Sequence, residues 1–268
     1  MPELPDVEYF KYYFKKTSLN QTIDNIRCEA KELIQNLSFE ELKNKLTGTQ
    51  FLDAERRGKF LIITVTGLQE KFLLHFAMTG DLHYVEQGTE KSGDDQYTRL
   101  TIQFDNGYEL RWRNMRKLGK IYLIKDPQKI DLINEMGPEP LEISYQKFSN
   151  LLTQHSRQML KSFFMDQSNI AGIGNVYSDE ILFRSGLHPR KKISDLSQAD
   201  KEKLYNTMQN VLSRGFKIRK KTDHFSENEW LIPHRNEDMI CPHDQTHQLE
   251  SKKVSGRTAI FCPTCQPK

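Results

Sequence analysis

The first apolar positions of the chain fall at helical spacing. Val7, Phe10, Tyr13 and Phe14 share one face of a segment spanning 5–16. Pro5 suits the first turn of such a helix, where a missing N–H costs nothing. Asp6 and Glu8 sit at the positive end of its dipole. The pattern then breaks into short apolar runs bounded by turn residues. "KFLIITV" (59–65), "KFLLHFAM" (71–78), "RLTIQF" (99–104), "YELRWR" (108–113) and "KIYLI" (120–124) read as strands, and "DNG" (105–107) as a hairpin turn. Together they predict an antiparallel β-sandwich with a leading helix. "GPEPLE" (137–142) resists helix and reads as a linker. From 143 to about 221 helical periodicity returns in "SYQKFSNLLTQ", "RQMLKSFFMDQ", "NVYSDEILFRSG" and "SQADKEKLYNTMQNVLSRGFK", interrupted by the Gly-rich "AGIGN" (171–175). The expected organisation is α+β and multidomain: a β-sandwich domain over 1–136, a helical domain over 137–222 and a cysteine-bearing tail over 223–268.

Composition removes some classes. No apolar run approaches the roughly 18–20 residues of a membrane span. Glu3, Asp6 and Glu8 stand where a secretory leader would be basic, so a cytoplasmic protein is expected. A net charge of +3 does not by itself demand nucleic acid. The distribution says more: "HPRKK" (188–192) and "FKIRKK" (216–221) gather cations in the C-terminal half, a pattern that suits phosphate or a solvated face.

Three of the four cysteines, Cys241, Cys262 and Cys265, crowd the end of the chain, far from Cys28. In a cytosolic protein that clustering favours a metal over a disulfide. A tetrahedral zinc site wants four nitrogen or sulfur ligands, and position 244, where a second cysteine would complete the set, is Asp244. His247 is the expected fourth ligand, with His243 and Asp244 as alternatives. The metal would be a single structural Zn2+, since a ribbon this short has little core of its own.

The opening "MPELPDVE" places a second proline directly after Met1. Proline is small enough for methionine removal, which would expose a secondary amine. An α-amino group has a pKa of about 7.7–8.0, so part of it is neutral at pH 7. A neutral secondary amine attacks a sugar C1′ or an aldehyde carbon, and the resulting iminium acidifies the neighbouring C2′ proton. Glu3 is adjacent and suited to moving protons. Taken singly, these signals have plainer explanations. The leader residues, the turn at 171–175 and the basic "RRGKF" (56–60) are each common enough.

Their joint order is not common. "PELPDVE", "RRGKF", "QSNIAGIGNVYSDEILFRSGLHPRK" and the C-terminal cysteine ribbon resemble the formamidopyrimidine-DNA glycosylase / endonuclease VIII family over essentially the whole chain. The resemblance implies a β-sandwich, a helix–two-turn–helix domain and a zinc ribbon, with damaged double-stranded DNA between domains and a monomeric enzyme. It implies base excision followed by strand cleavage. Pro2 would be the Schiff-base nucleophile, Glu3 the proton-transfer residue, and Lys59 a hairpin lysine that contacts DNA and assists base release. Asn175 would bind phosphate, and Arg257, in "SGRTAIFC", would grip phosphates flanking the lesion. Met78, Arg116 and Leu118 would fill the void left by a flipped nucleotide.

The sequence departs from the family at several points. Asp6 replaces a usual glutamate, and Leu118 a usual phenylalanine. "DDQYTRL" (94–100) lacks a usual histidine. The stretch after the helical region is short and lacks the Gly-rich aromatic segment that closes over 8-oxopurines, and its "PHR" resembles the "FHR" of endonuclease VIII. Oxidised purines of the 8-oxoguanine or formamidopyrimidine type are the expected substrates, with oxidised pyrimidines as the alternative. Two rival classes are a non-catalytic damaged-DNA-binding protein and an RNA-binding module.

Overall fold

The computed structural model describes residues 2–221, 224–235 and 240–268. Met1, whose removal the amine chemistry requires, lies outside the described residues. The chain divides into two compact units. One holds Pro2 and Asp6–Asn134, the other Glu3–Pro5 and Glu135–Lys268.

The chain begins with helix α1 (Leu4–Thr17), which has Pro5 and Asp6 in its first turn. Then follow β1 (Ile23–Cys28), α2 (Phe39–Leu46), β2 (Phe51–Arg57), β3 (Phe60–Val65), β4 (Lys71–His75), β5 (Gly80–Glu86), β6 (Thr98–Phe104), β7 (Tyr108–Asn114), β8 (Lys120–Ile124) and the short α3 (Asp131–Asn134). The strands form two four-stranded antiparallel sheets, ordered β1-β6-β7-β5 and β2-β3-β4-β8. Both sheets turn apolar residues into one core. Ile26, Leu100, Ile102 and Trp112 come from the first, Phe51, Ile63, Phe72, Leu74 and Ile121 from the second, and Val7 and Phe14 from α1. This is the expected sandwich. Helix α2 starts on a capping box, with Ser38 and Glu41 satisfying each other's backbone N–H.

One predicted strand ends early. "KFLLHFAM" leaves the sheet after His75, because the Gly80 N–H closes back on the Phe76 carbonyl at 2.9 Å and Ala77 takes a φ of 50°. Met78 therefore lies on a turn. The "RRGKF" stretch forms the β2–β3 hairpin, with Gly58 at φ 53° and Lys59 beside it.

The second unit contains α4 (Tyr145–Gln154), α5 (Leu160–Met165), α6 (Asn175–Ser185) and α7 (Gln198–Lys221). After these come β9 (Ile240–Cys241), β10 (Asp244–Gln248), β11 (Glu250–Val254) and β12 (Arg257–Phe261). Leu4, Phe148, Leu160, Phe163, Ile181, Leu204 and Met208 build the helical core. The four short strands pair as two hairpins, β9 with β10 and β11 with β12. Their own core is small, and Phe183 of α6 joins Leu231, Cys241, Leu249, Ile260 and Cys262 in it. Among the described residues, no helix is long and apolar enough to cross a membrane.

Candidate active site and nucleic-acid interface

The residues singled out in the sequence fall into local groups. The first is at the N-terminus of α6. Glu3 is completely buried, and its carboxylate accepts three backbone N–H groups: Gly174 at 2.7 Å, Val176 at 2.8 Å and Tyr177 at 3.0 Å. Those amides are the orphan donors of a helix start, so a carboxylate there is favoured by hydrogen bonding and by the dipole. The approach is close enough to demand glycine. A Cβ on Gly174 would lie 2.6 Å from the Glu3 carboxyl carbon, and one on Gly172, at φ 81°, would lie 2.9 Å from Leu4. The "AGIGN" turn thus receives the carboxylate of the residue that follows Pro2. Pro2 itself is buried.

Asn175 opens α6 beside these amides. Its backbone carbonyl accepts Lys161 Nζ at 2.7 Å and Arg235 Nη1 at 3.0 Å, while its buried Oδ1 has no partner among the described residues. Lys161 is fully buried. It also donates to Ser178 Oγ at 2.8 Å and Asp179 Oδ1 at 2.5 Å, and burial brings its pKa down to about 8 despite the Asp179 charge. The other oxygen of Asp179 accepts Arg235 and the Ile260 N–H, the latter at 3.2 Å. One buried carboxylate therefore joins the start of α6 to strand β12. Arg257, the first residue of β12, projects exposed from the tight turn at Ser255 (φ 47°) and Gly256 (φ 78°).

The sequence reading passed over Lys161, Asp179 and Arg235. The available signal was a lysine at helical spacing among Leu160, Phe163 and Phe164, a place where a cation needs a buried partner.

In the first unit, Lys59 sits half-buried on its hairpin and its carbonyl accepts the Phe76 N–H at 3.4 Å. His75 stacks on Phe60, with ring centroids 4.4 Å apart. Burial, reinforced by the Lys59 and Lys120 charges, lowers the His75 pKa to about 4, so its imidazole is neutral at pH 7. Met78 and Arg116 lie together, with Arg116 Nη1 3.3 Å from Met78 Sδ. The loop after β7 also carries two exposed apolar side chains, Met115 (48% exposed) and Leu118 (47%).

The last group is metal-like. Cys241, His247, Cys262 and Cys265 present ligand atoms that all lie within 4.8 Å of one another. Cys241 Sγ and Cys265 Sγ are 3.8 Å apart, and His247 Nδ1 is 3.7 Å from Cys265 Sγ. Tetrahedral zinc with Zn–S bonds of about 2.3 Å and Zn–N bonds of about 2.0–2.1 Å spaces its ligand atoms by about 3.5–3.8 Å, so the donor set fits. Burial and the neighbouring Cys262 and Cys241 push the Cys265 thiol up to about 12, a cost of ionisation that a bound cation would reverse. Asp244 and His243 stand outside the cluster. Asp244 Oδ2 lies 3.6 Å from His247 Nε2, on the far side of the ring from the sulfurs, and His243 packs on Phe183 with ring centroids 4.3 Å apart.

Comparisons with known proteins bear on the family and the fold. A family model of the formamidopyrimidine-DNA glycosylase N-terminal domain matches residues 1–121, and one of the formamidopyrimidine-DNA glycosylase H2TH domain matches 136–227. The formamidopyrimidine-DNA glycosylase of Carboxydothermus hydrogenoformans is 32% identical over 279 residues, covering 99% of this chain and 100% of that one. That of Oceanobacillus iheyensis is 32% identical over 287 residues, covering 100% and 98%. Among solved structures, the complex of the Lactococcus lactis Fpg with abasic-site DNA is similar at a TM-score of 0.87 and 26% identity, covering 99% of this chain and 100% of that one. The complex of the same protein with DNA containing FAPY-dG gives 0.86 and 27%, with the same coverage.

Proposed function

The chain belongs to the formamidopyrimidine-DNA glycosylase family, and on that premise we propose that it is a base-excision-repair DNA glycosylase and abasic-site lyase working through the amine of Pro2. The observation that carries the reading is Glu3. A buried carboxylate, one peptide bond from Pro2, is held by three amides at the start of α6.

Loss of Met1 frees the Pro2 nitrogen, and a fraction of it is neutral at pH 7. Its lone pair attacks C1′ of an extrahelical damaged nucleotide. The base departs with the electrons of the glycosidic bond and gains a proton. The Pro2 nitrogen gives up its proton, and the sugar ring opens as its lone pair forms the C1′=N+ bond while O4′ takes the C1′–O4′ electrons and a proton, leaving an iminium between Pro2 and C1′. The iminium acidifies C2′, a proton leaves, and the 3′-phosphate departs with its electron pair. Water then adds to C1′ of the iminium, and the C1′–N bond breaks to return the Pro2 amine and free the cleaved strand as an aldehyde. Glu3 is the group assigned to proton transfer in these steps. Lys59 contacts DNA and assists base release. Met78, Arg116 and Leu118 occupy the vacated stack, with Leu118 as the wedge. Asn175 and Arg257 take the phosphates. Cys241, His247, Cys262 and Cys265 hold one structural zinc, which serves the fold of the ribbon. The acting species is read as a monomer, as the family resemblance implies.

Oxidised purines of the formamidopyrimidine and 8-oxoguanine type are the first substrate reading; the relatives' names support the formamidopyrimidine part. Oxidised pyrimidines are the second, and one feature favours them. After α7, Trp230 is buried in the helical core and the partly buried Phe225 packs on it with ring centroids 4.9 Å apart, so this aromatic pair is engaged with the helical core.

The test is borohydride trapping on abasic duplex DNA, with a cleavage panel on 8-oxoguanine, a formamidopyrimidine, an oxidised pyrimidine and an abasic site. A covalent adduct is expected, and Pro2→Glu, whose bulk keeps Met1 in place, is expected to abolish it. An unmodified chain that binds abasic duplex and gives no adduct would overturn the lyase assignment.

A further inference from the structure

The side chains assigned to the void stand on two separate turns, Phe76–Thr79 and Met115–Gly119, and both turns converge on one buried amide. Asn114, the last residue of β7, is completely buried. Its Nδ2 donates to the Phe76 carbonyl at 3.3 Å, at the start of the Met78 turn. Its Oδ1 accepts the Leu118 N–H at 3.1 Å, in the loop that carries Arg116. Only one orientation of the carboxamide satisfies both, because one partner is an acceptor and the other a donor.

Three further features lock the arrangement. The Asn114 carbonyl accepts the Lys117 N–H at 3.2 Å and Arg99 Nε at 3.1 Å. A Cβ on Gly119 would lie 2.5 Å from Asn114 Nδ2, so the chain passes directly over the side chain. A second strut joins the turns nearer the surface, where Arg116 N–H donates to Thr79 Oγ1 at 3.1 Å. The outcome is visible at the tips, with Arg116 Nη1 3.3 Å from Met78 Sδ and Leu118 about half exposed beside them.

We infer that Asn114 is a positioning residue that presets the Met78 and Arg116–Leu118 turns as one rigid wedge. The inference rests on the repair reading above. Side chains that enter a base stack gain most when their geometry exists before binding, since ordering them on the DNA costs free energy. A preset wedge matters where a stack must be opened and an orphaned base faced. It matters little on a single strand, which has neither.

The test compares single-turnover cleavage of an abasic site in a duplex with that of the same site in a single strand. Asn114→Ala removes the shared link: the Phe76 carbonyl keeps only the Gly80 N–H of its own turn and the Leu118 N–H loses its acceptor, and the change is expected to slow duplex cleavage by about 10–100-fold. Single-strand cleavage is expected to stay within about 2-fold. Thr79→Val removes only the outer strut and leaves the core intact; a duplex-selective loss of about 3-fold is expected, in the range of one modest hydrogen bond. Each variant should also blunt the fluorescence response of a 2-aminopurine placed opposite an abasic analogue. Equal losses on both substrates, or no loss on either, for the variant that folds would overturn the wedge. An unmodified chain that cleaves neither substrate would instead overturn the repair reading, and the inference with it.

Discussion

At the scale of single residues, Glu3 shows why an acid is needed where it stands. Two carboxylate oxygens receive three N–H donors from the start of α6. A carboxamide offers one acceptor oxygen and turns an NH2 towards the remaining donors. Glu3→Gln therefore disturbs the pocket as well as removing the proton carrier. Base excision is expected to fall by at least about 100-fold, the scale of a lost general acid–base. Borohydride trapping on preformed abasic DNA is expected to fall less, because no base remains to be expelled. Both rates are read from single-turnover gels; equal losses would show that Glu3 serves the Schiff-base step alone. Gly174→Ala tests the same packing from the other side. Its methyl group would meet the Glu3 carboxyl carbon at 2.6 Å, and excision should drop with the N-terminal sequence unchanged.

At the scale of elements, α6 concentrates the chemistry. Its N-terminus receives Glu3, and Asp179 in its second turn ties down Lys161, Arg235 and β12. Next to Asp179, Glu180 is fully buried against Arg184 and the Ile232 N–H, at 2.6 and 3.0 Å. Burial outweighs those partners and raises its pKa from 4.5 to about 7. The folded chain thus keeps a proton that the unfolded chain sheds above about 4.5. Stability is expected to fall as pH rises from there through about 7, by at most roughly 3 kcal/mol from this group. Glu180→Gln removes the titration, so its melting temperature relative to the unmodified chain should climb between about pH 5 and pH 8; a flat difference would reject the shift. Part of this architecture was legible in the sequence and part was not, for physical reasons. The interior strands β3, β4, β6 and β7 announced themselves as apolar runs, as did the four main helices. Strand β8 did too, although it is an edge strand; β1, β2 and β5, the other three edge strands, did not. Bulges at Ile23/Asn25 and Phe51/Asp53 break the two-residue period of β1 and β2, and β5 begins with Gly80 and carries Asp81 and His83. The catalytic candidates stood out by their order along the chain. Asn114, Lys161, Asp179 and Arg235 did not, because what distinguishes them is burial with a specific partner, and that exists only after folding.

At the scale of the molecule, a chain with 39 Lys and Arg against 36 Asp and Glu has too little net charge to hold DNA by its total field. Binding must come from cations placed individually, and two of the proposed ones, Lys59 and Arg257, stand on hairpin turns. Arg257 depends on its scaffold. Strand β10 buries almost nothing, and the small core under both ribbon hairpins draws on Phe183 of α6. On the zinc reading proposed above, a ribbon so thinly packed would draw much of its stability from the metal, which contributes about 10–16 kcal/mol in small zinc-finger peptides. Chelation is therefore expected to release one zinc per chain. It should accelerate hydrogen exchange in β11 and β12 and leave β6 and β7 unchanged. Affinity for abasic duplex should fall more than in Arg257→Ala, which ought to lower the salt slope of binding by about one ion. His247→Ala should lose its zinc at a lower chelator concentration than the unmodified chain, since three thiolates alone leave a tetrahedral position open. Chelation that left ribbon exchange and DNA affinity untouched would mean the four side chains hold together without a metal, and Arg257 would then owe its place to Asp179 and the α6 contact alone.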